Sequence, residues 1–136
     1  MAETRLKMAL VGCGGIAQVH WQGIKEIATR VDVTAVVDTN TDSATAMAQL
    51  TDAEAFFDLE EALKNGDFEA VDIMLPHNLH ESAALACFSA GKHVLLEKPM
   101  AHSLESAERI LQASQKVTTT FMIAEQAQYW TDVIKA

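Results

Sequence analysis

The sequence is short of positive charge, of cysteine and of long apolar runs, and each shortage closes off a class of function. Ten Lys and Arg stand against nineteen Asp and Glu, a net charge of −9, which disfavours nonspecific binding to nucleic acid or to anionic membrane surfaces. Cys13 and Cys87 lie far apart, with no CxxC and no Cys/His cluster, so neither a zinc site nor a disulfide framework is indicated and two reduced thiols are expected. The longest apolar or glycine run, Met8 to Ala17, has ten residues, against the roughly 20 that a membrane-spanning helix requires. The start MAETRLK has no basic leader followed by a long apolar stretch, so no secretory signal is visible and a cytoplasmic location is expected by default. No charge block or repeat marks a disordered tail or a solenoid.

What is present suits one domain. A chain of 136 residues, 49% hydrophobic and 21% charged, can bury about two-thirds of the surface its unfolded form exposes. Short apolar runs recur between longer amphipathic stretches: Leu6 to Val11, Val31 to Val37, Ala70 to Leu75, Val94 to Leu96 and Thr119 to Ala124, with a shorter one near Ala55 to Phe57. LKMALV, VTAVV and VDIML are continuous rather than alternating, the pattern of strands covered on both faces. Between them, Asp58 with Glu61 forms a candidate capping box ahead of a helix that stops at Gly66. Asn78 with Glu81 repeats the pattern before Ser82 to Ala90 and Gly91, and Ser103 can cap the stretch through Leu111. Strand and helix alternate throughout. The expected fold class is therefore α/β, a three-layer doubly wound parallel sheet, the Rossmann fold.

Directly after the first strand, Gly12-Cys13-Gly14-Gly15-Ile16-Ala17 fits GxGxxA and leads into a helical stretch from Ile16 to about Ala28. In that context Gly12 permits a tight turn, Gly14 lets the backbone approach a pyrophosphate, and Ala17 keeps helix and strand close; the amides of Gly15 and Ile16 would point at the phosphates. The blander alternative is a glycine-rich turn that merely reverses the chain. Asp38, at the end of the second strand, can accept hydrogen bonds from the adenosine ribose, and Thr39-Asn40-Thr41-Asp42 offers no Arg or Lys for a 2′-phosphate. The expected cofactor is NAD, with NADP the second choice. Asp38 as a cap on the next helix is the competing reading. Three loops at the carboxyl ends of strands complete the candidate site: Leu75-Pro76-His77-Asn78 with His80, then Glu97-Lys98-Pro99, then Glu125-Gln126.

These residues resemble the glucose-fructose oxidoreductase, inositol dehydrogenase and MocA family, including its dihydrodiol dehydrogenase-like members. The likeness covers nearly the whole chain: GCGGIA (12 to 17), the strand-end Asp38, PHNLH (76 to 80) in place of the family's PxxxH, and AGKHVLLEKPMA (90 to 101), matching AGKHVxxEKPxA. It implies an oxidoreductase moving a hydride between NAD(P) and a secondary alcohol or ketone of a sugar, cyclitol or dihydrodiol. It also implies that Lys98, in the EKP motif, lies beside the nicotinamide and the substrate hydroxyl as the catalytic residue. An ammonium at a buried strand end can hydrogen-bond or exchange a proton with an alcohol oxygen; a surface charge paired with Glu97 is the alternative. Glu97 either pairs with Lys98 or binds the nicotinamide ribose. His77 and His80 either contact the cofactor or complete a helix N-terminus. His102 is expected in solvent, and His20-Trp21 in the packing of the first helix. Leu75 stands where many members have Thr, and Gln126 where they have Asn, which alters nicotinamide contacts modestly.

The resemblance further implies that residues 1–124 are the dinucleotide-binding domain and that 125–136 begin the crossing into a substrate domain absent from this chain. Its partners would then be the dinucleotide and, in the full-length protein, a small polyol or sugar-like substrate, with no nucleic acid, no membrane and no metal. A homo-oligomer is one option, since Tyr129 and Trp130 either form an apolar patch that self-associates or fold back onto the sheet. A standalone dinucleotide-binding or sensing module is the alternative function.

Overall fold

A computed structural model describes residues 3–134. Six strands, β1 (Leu6–Val11), β2 (Val31–Val37), β3 (Glu54–Phe56), β4 (Ala70–Ile73), β5 (His93–Glu97) and β6 (Phe121–Ala124), form one parallel sheet in the order β3-β2-β1-β4-β5-β6. Helices α1 (Gly15–Glu26), α2 (Thr41–Thr51), α3 (Leu59–Asn65), α4 (His80–Ser89) and α5 (Leu104–Ser114) make the crossovers, and a short α6 (Thr131–Ile134) follows β6. The expected doubly wound α/β class is the observed one. Among the described residues no helix is long and apolar enough to cross a membrane.

Two apolar layers sandwich the sheet. On one face Ala62 of α3, Ala83, Ala84, Cys87 and Phe88 of α4 and Ile110 of α5 pack on Val11, Val37, Val71, Ile73 and Leu96. On the other, Ala17 of α1 and Met47 of α2 pack on Leu10, Val33 and Val36. Leu10, Ile73 and Leu96 are fully buried, and each such side chain contributes about 2 kcal/mol. β2 manages its alternation with a bulge: Met8 pairs with Val33 but Ala9 pairs with Ala35. The unpaired Thr34 lets Val33 and Ala35 face opposite layers, and its hydroxyl donates to the Asp67 carbonyl at 2.6 Å.

Coverage is not even on both faces, which the apolar runs alone had suggested. The α1–α2 layer stops short of β6, where Met122 is 48% exposed. Local caps are mixed as well. Asp58 accepts from the amides of Glu60 and Glu61, and Ser103 from that of Ser106, as their positions predict. Asn78 caps nothing: it lies inside a 3₁₀ turn (His77–Leu79) that runs straight into α4, and Glu81 instead accepts from Ser106 Oγ at 2.7 Å and from Arg109. β4 ends at Ile73 rather than Leu75, because Pro76 has no amide to continue a ladder and biases Leu75 before it.

Candidate functional site

The sheet order reverses between β1 and β4, and a ligand crevice is expected outside the carboxyl ends at that point. Gly12 sits at the bottom of the crevice. Its amide donates to the Val37 carbonyl at 2.8 Å, while Met74, just past β4, donates to the Val11 carbonyl at 2.7 Å. Gly12 has φ +96°, and a Cβ there would run into the Met74 carbonyl, whose carbon lies 2.8 Å from the Cβ position. Only glycine satisfies both demands.

Beyond it the backbone is open. Nothing lies within 4 Å of the Cβ positions of Gly14 or Gly15. α1 starts with Gly14 as its N-cap, with no side-chain cap and no acidic residue in its first turn. A twelve-residue helix therefore presents its amide end and positive dipole end to whatever enters, the arrangement that suits a pyrophosphate. Ile16, in that first turn, is 39% exposed.

Asp38 closes the far side. Its Oδ2 accepts from the Cys13 amide at 2.8 Å and its Oδ1 from the Asn40 amide at 2.8 Å, leaving each oxygen a further lone pair. The cap of α2 is Asn40, which accepts from Ser43 at 3.0 Å, so the alternative of Asp38 as that cap is set aside. A cleft of about 400 Å³ is lined here by Gly12, Gly14, Asp38, Leu75 and Pro76, all anticipated from sequence, together with Cys13, Thr39, Leu59, Met74 and Leu79, which were not. Thr39 and Met74 lie just past the ends of β2 and β4, Cys13 and Leu79 fill variable positions of GCGGIA and PHNLH, and Leu59 opens α3. Burial, then the neighbouring charge of Asp38, pushes the Cys13 thiol up to about 12, so it is an inert wall.

His80 belongs to the scaffold and not to the cofactor surface. It is completely buried, with Nδ1 2.9 Å from the Pro99 carbonyl and Nε2 2.9 Å from the Leu75 carbonyl. It thereby joins the loop after β4 to the loop after β5. His77 stacks edge-on against it, ring centroids 5.5 Å apart, and is itself exposed, as is Asn78.

Glu97 pairs with His20 and not with Lys98. Being on the α1 side of the sheet, its buried carboxylate turns inward, with Oε2 3.0 Å from His20 Nε2. His20 Nδ1 is 2.7 Å from Asp72 Oδ2. His20 is thus the centre of an ionic cluster, whereas Trp21 does pack on the core beside it. The hydrogen bond to Asp72, followed by the charges of Asp72 and Glu97, holds the imidazole pKa above its ordinary 6.5 against the opposing effect of burial. The missed signal was Asp72 itself: an acid inside a continuous apolar strand requires a partner.

Lys98 is exposed rather than buried, at the carboxyl end of β5 and one residue past the inward-facing Glu97. Gln126, also exposed, opens a 3₁₀ turn (Gln126–Tyr129) at the same edge of the sheet, beyond β6. His102 is in solvent as expected. Tyr129 and Trp130 are 63% and 60% exposed and do not fold back.

A parallel sheet in this order, a glycine turn opening an uncapped helix and an acid at the end of the second strand define a dinucleotide-binding Rossmann domain. Residues 6–125 match the oxidoreductase family with an NAD-binding Rossmann fold, GFO_IDH_MocA, and the chain belongs to that family. It is 31% identical over 125 residues to 4-carboxy-2-hydroxymuconate-6-semialdehyde dehydrogenase of a Sphingobium species, covering 91% of this chain and 39% of that enzyme. With inositol 2-dehydrogenase of an Arthrobacter species it shares 37% over 118 residues, 86% of this chain and 35% of the relative. The WlbA dehydrogenase of Bordetella pertussis, solved with NADH and UDP-GlcNAcA, superposes with TM-score 0.95 at 27% identity, over 99% of this chain and 40% of that one. The chain therefore spans less than half the length of these relatives.

Proposed function

We propose that this chain is the cofactor half of a dehydrogenase that moves a hydride between NAD and a secondary alcohol or ketone of a sugar, cyclitol or dihydrodiol. Residues 1–124 form the cofactor domain and 125–136 begin the crossing to a substrate domain. The observation that carries the reading is a single cleft with the open amide end of α1 at one side and the Asp38 carboxylate at the other.

The pyrophosphate rests on the amides of Gly15 and Ile16, and Asp38 accepts from the adenosine ribose hydroxyls. The same carboxylate repels a 2′-phosphate, and residues 39–42 supply no cation to offset it; NAD is preferred over NADP. Leu75, Pro76, His77 and Asn78 border the nicotinamide end, with Gln126 across from them. When bound, the dinucleotide supplies the ring that accepts or returns the hydride. Lys98, free in solvent at the end of β5, hydrogen-bonds the substrate oxygen and relays its proton as alcohol becomes ketone. The substrate classes are supported by the inositol 2-dehydrogenase relative and by the nucleotide sugar bound to WlbA. Holding that substrate requires residues outside this chain, so the chain binds cofactor but turns over little. The exposed Tyr129 and Trp130 support self-association.

Calorimetric titration with NAD⁺ and with NADP⁺, in one buffer, tests the reading. Tighter binding of NAD⁺ supports it; no heat with either dinucleotide overturns every cofactor role assigned above.

A further inference from the structure

We infer that His20 is a positioning residue for the nicotinamide end, its imidazolium bridging Asp72 and Glu97 so as to set the end of β5 from which Lys98 projects. The inference rests on the proposed function for what Lys98 does, but its geometry stands apart from any cofactor. His20 comes from α1, Asp72 from the middle of β4 and Glu97 from the last position of β5, with contacts of 2.7 Å and 3.0 Å. These are three separate elements, and the imidazole is their common point. Among the described residues the charged groups acting on the ring are these two carboxylates alone, one from each strand packed against it.

The arrangement demands a charged ring. A neutral imidazole has one N–H, so one of its nitrogens would turn a lone pair toward a carboxylate. Asp72 is 1% exposed and its Oδ1 has no hydrogen-bond partner, which leaves the imidazolium as the main compensation for a buried negative charge. Burial lowers the proton affinity of the ring, but the hydrogen bond to Asp72 and the two charges outweigh it. Deprotonation therefore releases one strand end, and Glu97 is the freer of the two because it is terminal. Lys98 is the next residue along the chain.

The test is an NMR titration of the cofactor-free chain, following the His20 ring and the Glu97 and Lys98 amides from about pH 5.5 to 9, the range that brackets an ordinary imidazole. The expected result is a His20 midpoint above 6.5 with both amides moving at that same midpoint. In Asp72→Asn the midpoint falls, and in His20→Gln the amide step disappears. A His20 midpoint at or below 6.5, or a Lys98 amide indifferent to it, overturns the inference. A second readout is the ratio of NAD⁺ to ADP-ribose affinity, since ADP-ribose lacks the nicotinamide: it should fall several-fold above the midpoint in the natural chain and stay flat with pH in His20→Gln. A flat ratio in the natural chain also overturns it. Failure to bind either ligand counts against the proposed function, and the amide titration then decides the positioning role.

Discussion

The Asp38 carboxylate accepts the backbone amide of Cys13 at 2.8 Å, so the acid at the end of the second strand is tied to the middle of the glycine turn after the first. One side chain thus has two assignments: it fixes the turn from inside and offers its remaining lone pairs to the cleft. Asp38→Ala should remove both. NAD⁺ affinity is expected to fall at least about tenfold, the lower value of a single hydrogen bond to a charged group, and the preference over NADP⁺ to shrink. Paired calorimetric titrations check this; an unchanged affinity ratio means that Asp38 does not read the ribose.

Gly12 and Gly15 should separate folding from binding. Gly12→Ala forces a side chain into φ +96° and onto the Met74 carbonyl, and is expected to cost at least about 2 kcal/mol. Gly15 lies in the first turn of α1 with open space around it, so Gly15→Ala should leave stability within about 1 kcal/mol while weakening NAD⁺ by adding a methyl beside the amide proposed to hold the pyrophosphate. Denaturant melts beside titrations distinguish the two, and equal loss of stability in both variants would contradict the assignment.

His80→Ala removes a fully buried ring that touches two carbonyls. Losing its packing and both polar contacts should destabilise the chain by about 2–4 kcal/mol. Thermal unfolding checks the size; a loss under 1 kcal/mol would mean the loops hold each other without it.

The raised His20 pKa makes stability depend on pH with a definite sign. The folded chain holds the proton more tightly than the unfolded one, so the contribution of His20 is complete below about 6.5. It is lost as pH rises through the higher folded value. Urea midpoints should therefore decline from pH 6 toward about pH 9, and His20→Gln should flatten that slope.

Much of this was legible locally. Short continuous apolar runs marked five of the strands, GCGGIA marked the first crossover, and Asp38 stood out because it ends a strand that is otherwise apolar after Thr34. What escaped depends on contacts between residues far apart in the chain. Glu97 reads as an exposed neighbour of Lys98 until the pleat is known, and the pleat sends them to opposite environments. His80 sits in a motif that suggests ligand contact, yet its surroundings are two main-chain carbonyls that no side-chain pattern encodes. The Thr34 bulge is equally silent, since an unpaired β-branched residue looks like any other strand position. The cluster around His20 does leave a local trace: Asp72 within VDIML signals a buried partner, and a histidine on the amphipathic helix α1 is a natural source.

His80 has a mechanical side as well. With one nitrogen on the Leu75 carbonyl and the other on that of Pro99, the imidazole serves as a rigid rung between two backbones rather than as a side chain resting on one. A ligand seated on Leu75 and Pro76 would therefore bear on a loop that is linked, through one ring, to the main chain beside Lys98.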